Sequence, residues 1–352
     1  MQHCFGKTGS GGPVMAFERL IDRSTFKYSQ IRQIDGAGGI NRALIRQFVH
    51  EIKQNKPDLI HIRGLGNEGF HAALAAKIAG VPKILVSIHG THRDLTQQHS
   101  FLRHIIVVYI LETLTLLMAT HLATVCQFAS KRRFLKPFHS KLTAVVPNGV
   151  DVPDVINKKS TQIRHNLGIS LDLPIALCVS RLTIEKGYLV LAESLKKIDQ
   201  ANCAFALIIV GGGDDDGLIK DAFVGLSYIQ VYFVGHQNQV TPYLEASDFF
   251  VFPSLHENLS NALIEAMSYQ LPVIATDVGG NTEVVQQGGG VLVPPKDPIA
   301  LASAIKKYVQ SPEQLVDFGI TAQNNIRLNY TSQNMVSGWE TLYLKILDNH
   351  DD

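Results

Sequence analysis

Two hydrophobic periods alternate along the chain. Short, nearly continuous apolar runs recur at 59–62, 84–88, 122–125, 143–146, 175–179, 205–210, 231–234, 249–252 and 273–275. Most are followed by glycine, proline or a polar turn. Between them lie segments with apolar residues every three or four positions, at 43–53, 70–79, 189–198 and 300–308. Strands that are apolar throughout are buried on both faces. Their alternation with helical segments predicts parallel sheets covered by helices on each side. The series is too long for one ordinary sheet. A stretch dense in turn formers, PNGVDVPDVINKKS at 147–160, interrupts it, and the series then restarts. The expected class is α/β, with two Rossmann-like doubly wound domains facing across a cleft. Residues 1–155 form the first and 156–330 the second. Residues 331–352 carry a last helix with apolar positions at Met335, Val336, Trp339, Leu342, Tyr343 and Ile346, a face that demands a packing partner.

A length of 352 residues agrees with two cores rather than one. Hydrophobic content of 45% and charged content of 18% describe an ordinary globular chain. A net charge of +1 gives no electrostatic footprint for nucleic acid. Cys4, Cys126, Cys178 and Cys203 are far apart and read as reduced core residues. Residues 1–7 lack a basic start followed by an apolar run, so no signal peptide is expected and the location is taken as cytoplasmic. Two segments bear on membranes. IIVVYILETLTLLMA at 105–119 is shorter than the roughly 20 residues of a span. It reads as a buried helix of the first domain, with membrane docking as the alternative. KRRFLKPFHSK at 131–141 interleaves basic residues with Phe134, Leu135 and Phe138. It is either a solvated helix end or a patch for anionic lipid. A peripheral contact with the inner face of the membrane follows from the second readings.

The chemistry concentrates in FPSLHENLSNALIEAMSYQLPVIATDVGGNTE, residues 252–283. Glu257 is expected in a loop and Glu265 on the helix after it. Ser260 or Asn261 would cap that helix by accepting a bond from a first-turn N–H. The positive end of the helix then suits a phosphate, and a carboxylate one turn in suits ribose hydroxyls. In the second domain a strand also ends at Arg181, with Lys186-Gly187 at the next helix start. Ligands of parallel sheets bind at such carboxyl edges. Arg181 as a fork and Lys186 as a point charge could hold a diphosphate, against the plainer reading of two surface cations. Other motifs fall away. Asp214-Asp215-Asp216 follows three glycines and reads as a turn, not a metal motif. GKT at 6–8 lacks the upstream glycine of a phosphate loop, and DGAGGI at 35–40 lacks the last glycine of a dinucleotide fingerprint. His3, His61, His71 and His99 show no metal-ligand spacing.

VSRLTIEKGYLVLAESL, IIVGGG, VYFVGHQNQV, FPSLHENLSNALIEAM, LPVIATDVGGNTEVV and GGGVLVPPKDPIALASAI, in that order over 174–307, resemble the donor-binding half of the retaining family-4 glycosyltransferases. The first half resembles them through a Gly-Gly loop at Gly11-Gly12, PDLIHIRG at 57–64, VSIHGTHRDL at 86–95 and VVPNGVD at 145–151. The resemblance implies the GT-B architecture, with the last helix crossing back to the first domain. It implies transfer of a hexose-type sugar from a nucleotide-diphosphate donor to a glycan or lipid-linked acceptor, without metal or other cofactor, in surface polysaccharide synthesis. Arg181 and Lys186 would neutralise the departing diphosphate. Glu265 would bind the ribose, and Glu257 the donor sugar near the reacting carbon. The backbone of Asn258, Leu259, Ser260 and Asn261 would line sugar and phosphate. His89 would face the donor sugar, and Gly11 and Gly12 would let backbone approach phosphates or acceptor. Three departures stand out: a short first strand in MQHCF, Thr120-His121 where relatives carry an acid, and Gln270 where glycine is common. The rival enzyme is a sugar-nucleotide epimerase of the same shape. The rival from another class is a non-catalytic sugar-nucleotide-binding protein.

Overall fold

The apolar runs become parallel strands. A computed structural model describes residues 1–6, 11–91, 93, 104–157 and 161–348. The chain divides into two compact units, Met1–Gly149 with Ser332–Asp352, and Val150–Thr331. The first junction falls inside the turn-rich stretch expected to part the domains.

In the first unit, β1 (Gln2–Phe5), β2 (Gln30–Gln33), β3 (Leu59–Arg63), β4 (Lys83–Ile88), β5 (His121–Thr124) and β6 (Leu142–Val145) form one sheet in the order β2-β1-β3-β4-β5-β6. Every pairing is parallel. The helix Ser332–Asp348 packs here. Its Trp339, Leu342, Tyr343 and Ile346 are buried with Leu85, Ala123, Val146 and Leu20. Each such side chain removed from water contributes roughly 1.5–3 kcal/mol, which answers the demand made by the helix's apolar face.

In the second unit, β7 (Ile175–Val179), β8 (Phe205–Val210), β9 (Ile229–Gly235), β10 (Phe249–Phe252), β11 (Val273–Thr276) and β12 (Gly290–Val293) pair as β12-β11-β10-β7-β8-β9. All are parallel. The helices Tyr188–Asp199 and Pro298–Gln310 bury Leu191, Leu195, Leu301, Ile305 and Tyr308 against Leu207, Ile209, Phe249 and Val251. Phe249 meets Tyr308 edge to face at 5.6 Å. The chain runs from β7 outward through β8 and β9, then returns to place β10 on the other side of β7. The direction of winding therefore reverses between β7 and β10. In doubly wound sheets the crevice at that reversal, on the carboxyl side, is where ligands bind.

Several expectations are corrected. β2 and β12 lie outside the apolar runs read as strands, while β1 is the short first strand expected in MQHCF. The segment 105–119 is helical but only half-buried. It is a π-helix at Ile106–Leu111 continued by an α-helix at Glu112–Met118. Val108, Leu111, Thr115 and Leu116 point inward, while Ile106, Tyr109, Ile110, Leu114 and Leu117 are exposed. Among the described residues, no helix is long and apolar enough to cross a membrane. The basic stretch folds as a 3-10 segment, Arg133–Lys141, rather than as a helix end. Gly11 and Gly12, expected in a loop, begin the helix Gly11–Arg23. Gln270 sits at φ +56°, just past the helix Asn261–Ser268. That left-handed position is why glycine suits it so well. Lys7 and Thr8 of the GKT tripeptide, and His99, lie outside the described residues.

Candidate active site

Of the residues singled out in the second domain, Lys186 and Glu257 are brought into contact beyond the carboxyl ends of β7 and β10. The strand β7 ends at Val179 and leads through Arg181 into a 3-10 turn, Ile184–Lys186. The strand β10 ends at Phe252 and leads into the loop that carries Glu257. Lys186 Nζ donates to Glu257 Oε1 in a close ion pair. The two side chains are 16% and 12% exposed, so the pair is largely shielded from water. The ammonium also lies 5.8 Å from the centre of the Phe252 ring. The Ser254 hydroxyl donates to the same Glu257 oxygen at 2.9 Å.

Backbone contacts fix both loops. Leu255 N donates to the Glu185 carbonyl at 2.8 Å and Leu182 N to that of Gly212 at 3.1 Å. Ile184 N donates to Asp215 Oδ2 at 2.9 Å. The aspartate run is thus a turn leading into the helix Asp216–Ala222, with Asp215 holding the lysine loop. Gly187 has φ +75°, and a Cβ there would collide with the Pro253 carbonyl. The lysine loop and the glutamate loop touch at this glycine. Gly187→Ala is therefore expected to cost about 2–3 kcal/mol from backbone strain plus steric overlap, seen as a lowered thermal midpoint. An unchanged midpoint would show that the two loops can separate freely.

Arg181 differs from Lys186. Its side chain is 64% exposed and pairs with the buried Glu185 at 3.6 Å. The loop then closes on a helix. Ser260 is the N-cap of Asn261–Ser268, its hydroxyl accepting from Leu263 N at 3.3 Å. Of the two candidate caps, Ser260 is the one used. Asn258, Leu259 and Ser260 are buried, and the Asn258 carbonyl lies against the α-carbon of Gly280. Glu257 is in the loop and Glu265 one turn into the helix, half-buried. Sequence reasoning passed over Glu185 and Ser254, and read Asp215 only as part of a turn. The first two flank known candidates, Glu185 beside Lys186 and Ser254 three residues before Glu257, which was the available signal.

In the first unit His89 follows β4. Its Nε2 lies 3.1 Å from the Ser87 hydroxyl, which lies 2.8 Å from His61 Nε2, and His61 Nδ1 lies 2.7 Å from the Tyr343 hydroxyl. Burial, reinforced by the Arg63 guanidinium, pushes the His89 pKa down to about 3. The ring is neutral at physiological pH, so it can offer a hydrogen bond but no charge. Gly11 and Gly12 begin the helix that follows β1, also in this unit.

Residues 11–153 match a family described as "Glycosyltransferase Family 4", and residues 173–311 match "Glycosyl transferases group 1". Together these take in more than half of the chain. It belongs to the family-4, group 1 glycosyltransferases. TuaC of Bacillus subtilis (strain 168), named for teichuronic acid biosynthesis, is 30% identical over 279 residues, 76% of this chain and 66% of TuaC. An Escherichia coli protein named UDP-Gal:alpha-D-GlcNAc-diphosphoundecaprenol alpha-1,3-galactosyltransferase is 28% identical over 67% of this chain and 62% of its own length. The match thus spans just under two thirds of each of these relatives. A crystal structure of a glycosyltransferase from Rickettsia africae ESF-5 superposes with a TM-score of 0.76 at 20% identity, covering 99% of this chain and 98% of the other. The fold is therefore that of the GT-B glycosyltransferases.

Proposed function

We propose that this family-4 protein is a retaining glycosyltransferase of surface polysaccharide synthesis. It moves a hexose-type sugar from a nucleotide-diphosphate donor to a hydroxyl of a glycan or lipid-linked acceptor. The observation that carries the reading is the shielded Lys186–Glu257 pair at the β7/β10 winding reversal, beside the capped start of Asn261–Ser268. A cation, a sugar-binding carboxylate and a helix N-terminus at one sheet edge match the three parts of a nucleotide sugar's reacting end. The E. coli relative, whose name carries a UDP-sugar and a diphosphoundecaprenol acceptor, supports a donor and acceptor of these classes.

Departure of the nucleotide diphosphate is the step that needs help. Negative charge grows on the leaving phosphate as the anomeric bond breaks, and preorganised cations offset it. Lys186 supplies one such charge in a shielded setting and Arg181 a second in an exposed one. With both in place the reaction is assigned no metal or other cofactor. Glu257 accepts from the donor sugar's hydroxyls, and the backbone of Asn258–Asn261 lines sugar and phosphate. His89, neutral, is assigned a hydrogen bond to the donor sugar. Gly11 and Gly12 are assigned to close backbone approach in the first unit. The acceptor hydroxyl attacks on the face that the leaving phosphate vacates, which retains configuration. The four buried cysteines, none of them in a disulfide, fit a reducing, cytoplasmic setting.

The test is a thermal-shift screen against UDP, GDP, ADP and their common sugar conjugates, run with chelator. Stabilisation by one nucleotide family is expected; no response to any would overturn the donor site. Glu265→Gln should raise the donor KM about tenfold with little change in kcat, because a ribose contact is made equally in ground and transition states. Unchanged donor KM would remove Glu265 from the ribose.

A further inference from the structure

The face formed by helix 106–118 and the basic segment beside it is not used by the donor chemistry. Its outward positions are Ile106, Tyr109, Ile110, Leu114 and Leu117, from 39% to 62% exposed. Ile106, Ile110, Leu114 and Leu117 recur at three- and four-residue steps with Tyr109 beside Ile110, so they form one stripe about 16 Å long at no more than 1.5 Å per residue. No charged side chain interrupts it. The one acid in residues 104–150 is Glu112. It is fully buried and pairs with Arg93 at 3.1 Å. A soluble helix normally turns charge outward, and a continuous apolar stripe marks a surface that something covers.

The neighbouring segment supplies the charge. Lys141 Nζ donates to the carbonyls of Leu117 at 2.8 Å and Ala119 at 2.7 Å, closing the end of the apolar helix. The Arg93 guanidinium lies 5.3 Å from the Tyr109 ring and 4.8 Å from the Phe134 ring, which ties the two segments together. Lys131, Arg132, Lys136 and His139 line a groove of about 490 Å³. Exposed Phe128 precedes it. An apolar stripe flanked by four or more cations, without acids, is the chemistry of a surface that inserts side chains at the headgroup level while cations meet lipid phosphates.

We propose that this face docks the protein on the surface of an anionic lipid bilayer. The proposal stands apart from the nucleotide-sugar assignment, since none of its residues serves the donor. Flotation of the full chain with phosphatidylcholine vesicles, with and without phosphatidylglycerol, tests it. Co-flotation is expected only with phosphatidylglycerol, and about 1 M salt should reduce it, because screening then acts within about 3 Å. Lys131→Ala and Lys136→Ala should each lower the partition coefficient about fivefold. Tyr109→Asp with Leu117→Asp should abolish flotation, while any nucleotide-induced thermal shift persists. Wild-type protein that stays with the soluble fraction in both lipids overturns the proposal, as do variants that float like wild type. A dimer in gel filtration that the aspartate variant dissolves also overturns it, since the stripe would then be covered by a second copy. Failure of the nucleotide screen leaves the flotation result standing, so the two readings fail separately.

Discussion

Lys186→Ala is expected to lower kcat by about 10²–10³-fold, the effect of removing one preorganised charged donor from a shielded site. The reason lies in burial. The Lys186 side chain is only 16% exposed, and its ammonium is held by Glu257 over the Phe252 ring. Its field on a leaving phosphate is therefore weakly screened. Arg181, 64% exposed and offset by Glu185, should matter less, and Arg181→Ala is expected to cost about 10–100-fold. Lys186→Ala also strips Glu257 of its cation, leaving the Ser254 hydroxyl as its remaining side-chain partner. Breaking a shielded pair this way costs about 3 kcal/mol, so a folding check by circular dichroism belongs with the kinetics. Lys186→Arg keeps the charge, so comparing it with Lys186→Ala shows how much of the loss belongs to the charge. A folded Lys186→Ala protein with normal turnover would end the leaving-group assignment. A wild type that binds nucleotide sugar and never turns it over with any acceptor would favour a non-catalytic sugar-nucleotide-binding protein instead.

Legibility in the sequence followed local physics. The runs at 175–179, 205–210 and 249–252 became β7, β8 and β10 without change, because strands buried on both faces must be apolar throughout. The Ser260 cap and the split between a loop Glu257 and a helical Glu265 were readable because capping is decided within four residues. What stayed hidden depends on distant partners. β1 showed only as a short strand in MQHCF and in no apolar run, because it carries buried Gln2 and His3, with Gln2 satisfied by Arg63 at 2.7 Å from another strand. β2, QIRQ, is an edge strand with one inward apolar side chain, so it shows no run at all. Composition marked 105–119 as apolar but could not say that one face would lack a cover. Glu185 and Ser254 gained their roles only when β7 and β10 became neighbours.

Lowering the pH from 7 to 5 is expected to destabilise the first unit strongly. His3 is pushed down to about 4 by burial and His89 to about 3 by burial and then Arg63. Burial also takes His61 well below its ordinary value. For a base whose folded pKa is depressed, the unfolded chain binds the proton first. Stability is then fully present above the unfolded value near 6.5 and is lost as pH falls from there toward 4 and 3. At pH 5, His3 and His89 each account for about 2 kcal/mol of that loss, a large share of a typical folding free energy. The buried Arg63 sharpens the effect. Its guanidinium lies 5.2 Å from the Phe17 ring, and a second charge near it has little water to spread into. The readout is built in, because Trp339 is the sole tryptophan, is buried in this unit, and has its ring centre 4.5 Å from that of His61. Its fluorescence during urea unfolding should show a midpoint about 1–2 M lower at pH 5 than at pH 7. His3→Leu should shrink the difference. Equal midpoints at the two pH values would mean that these histidines are hydrated in solution. The same shift bears on activity: with His89 neutral down to about 3, an acid limb in the rate profile between pH 5 and 6.5 would report unfolding or another group, not protonation of His89.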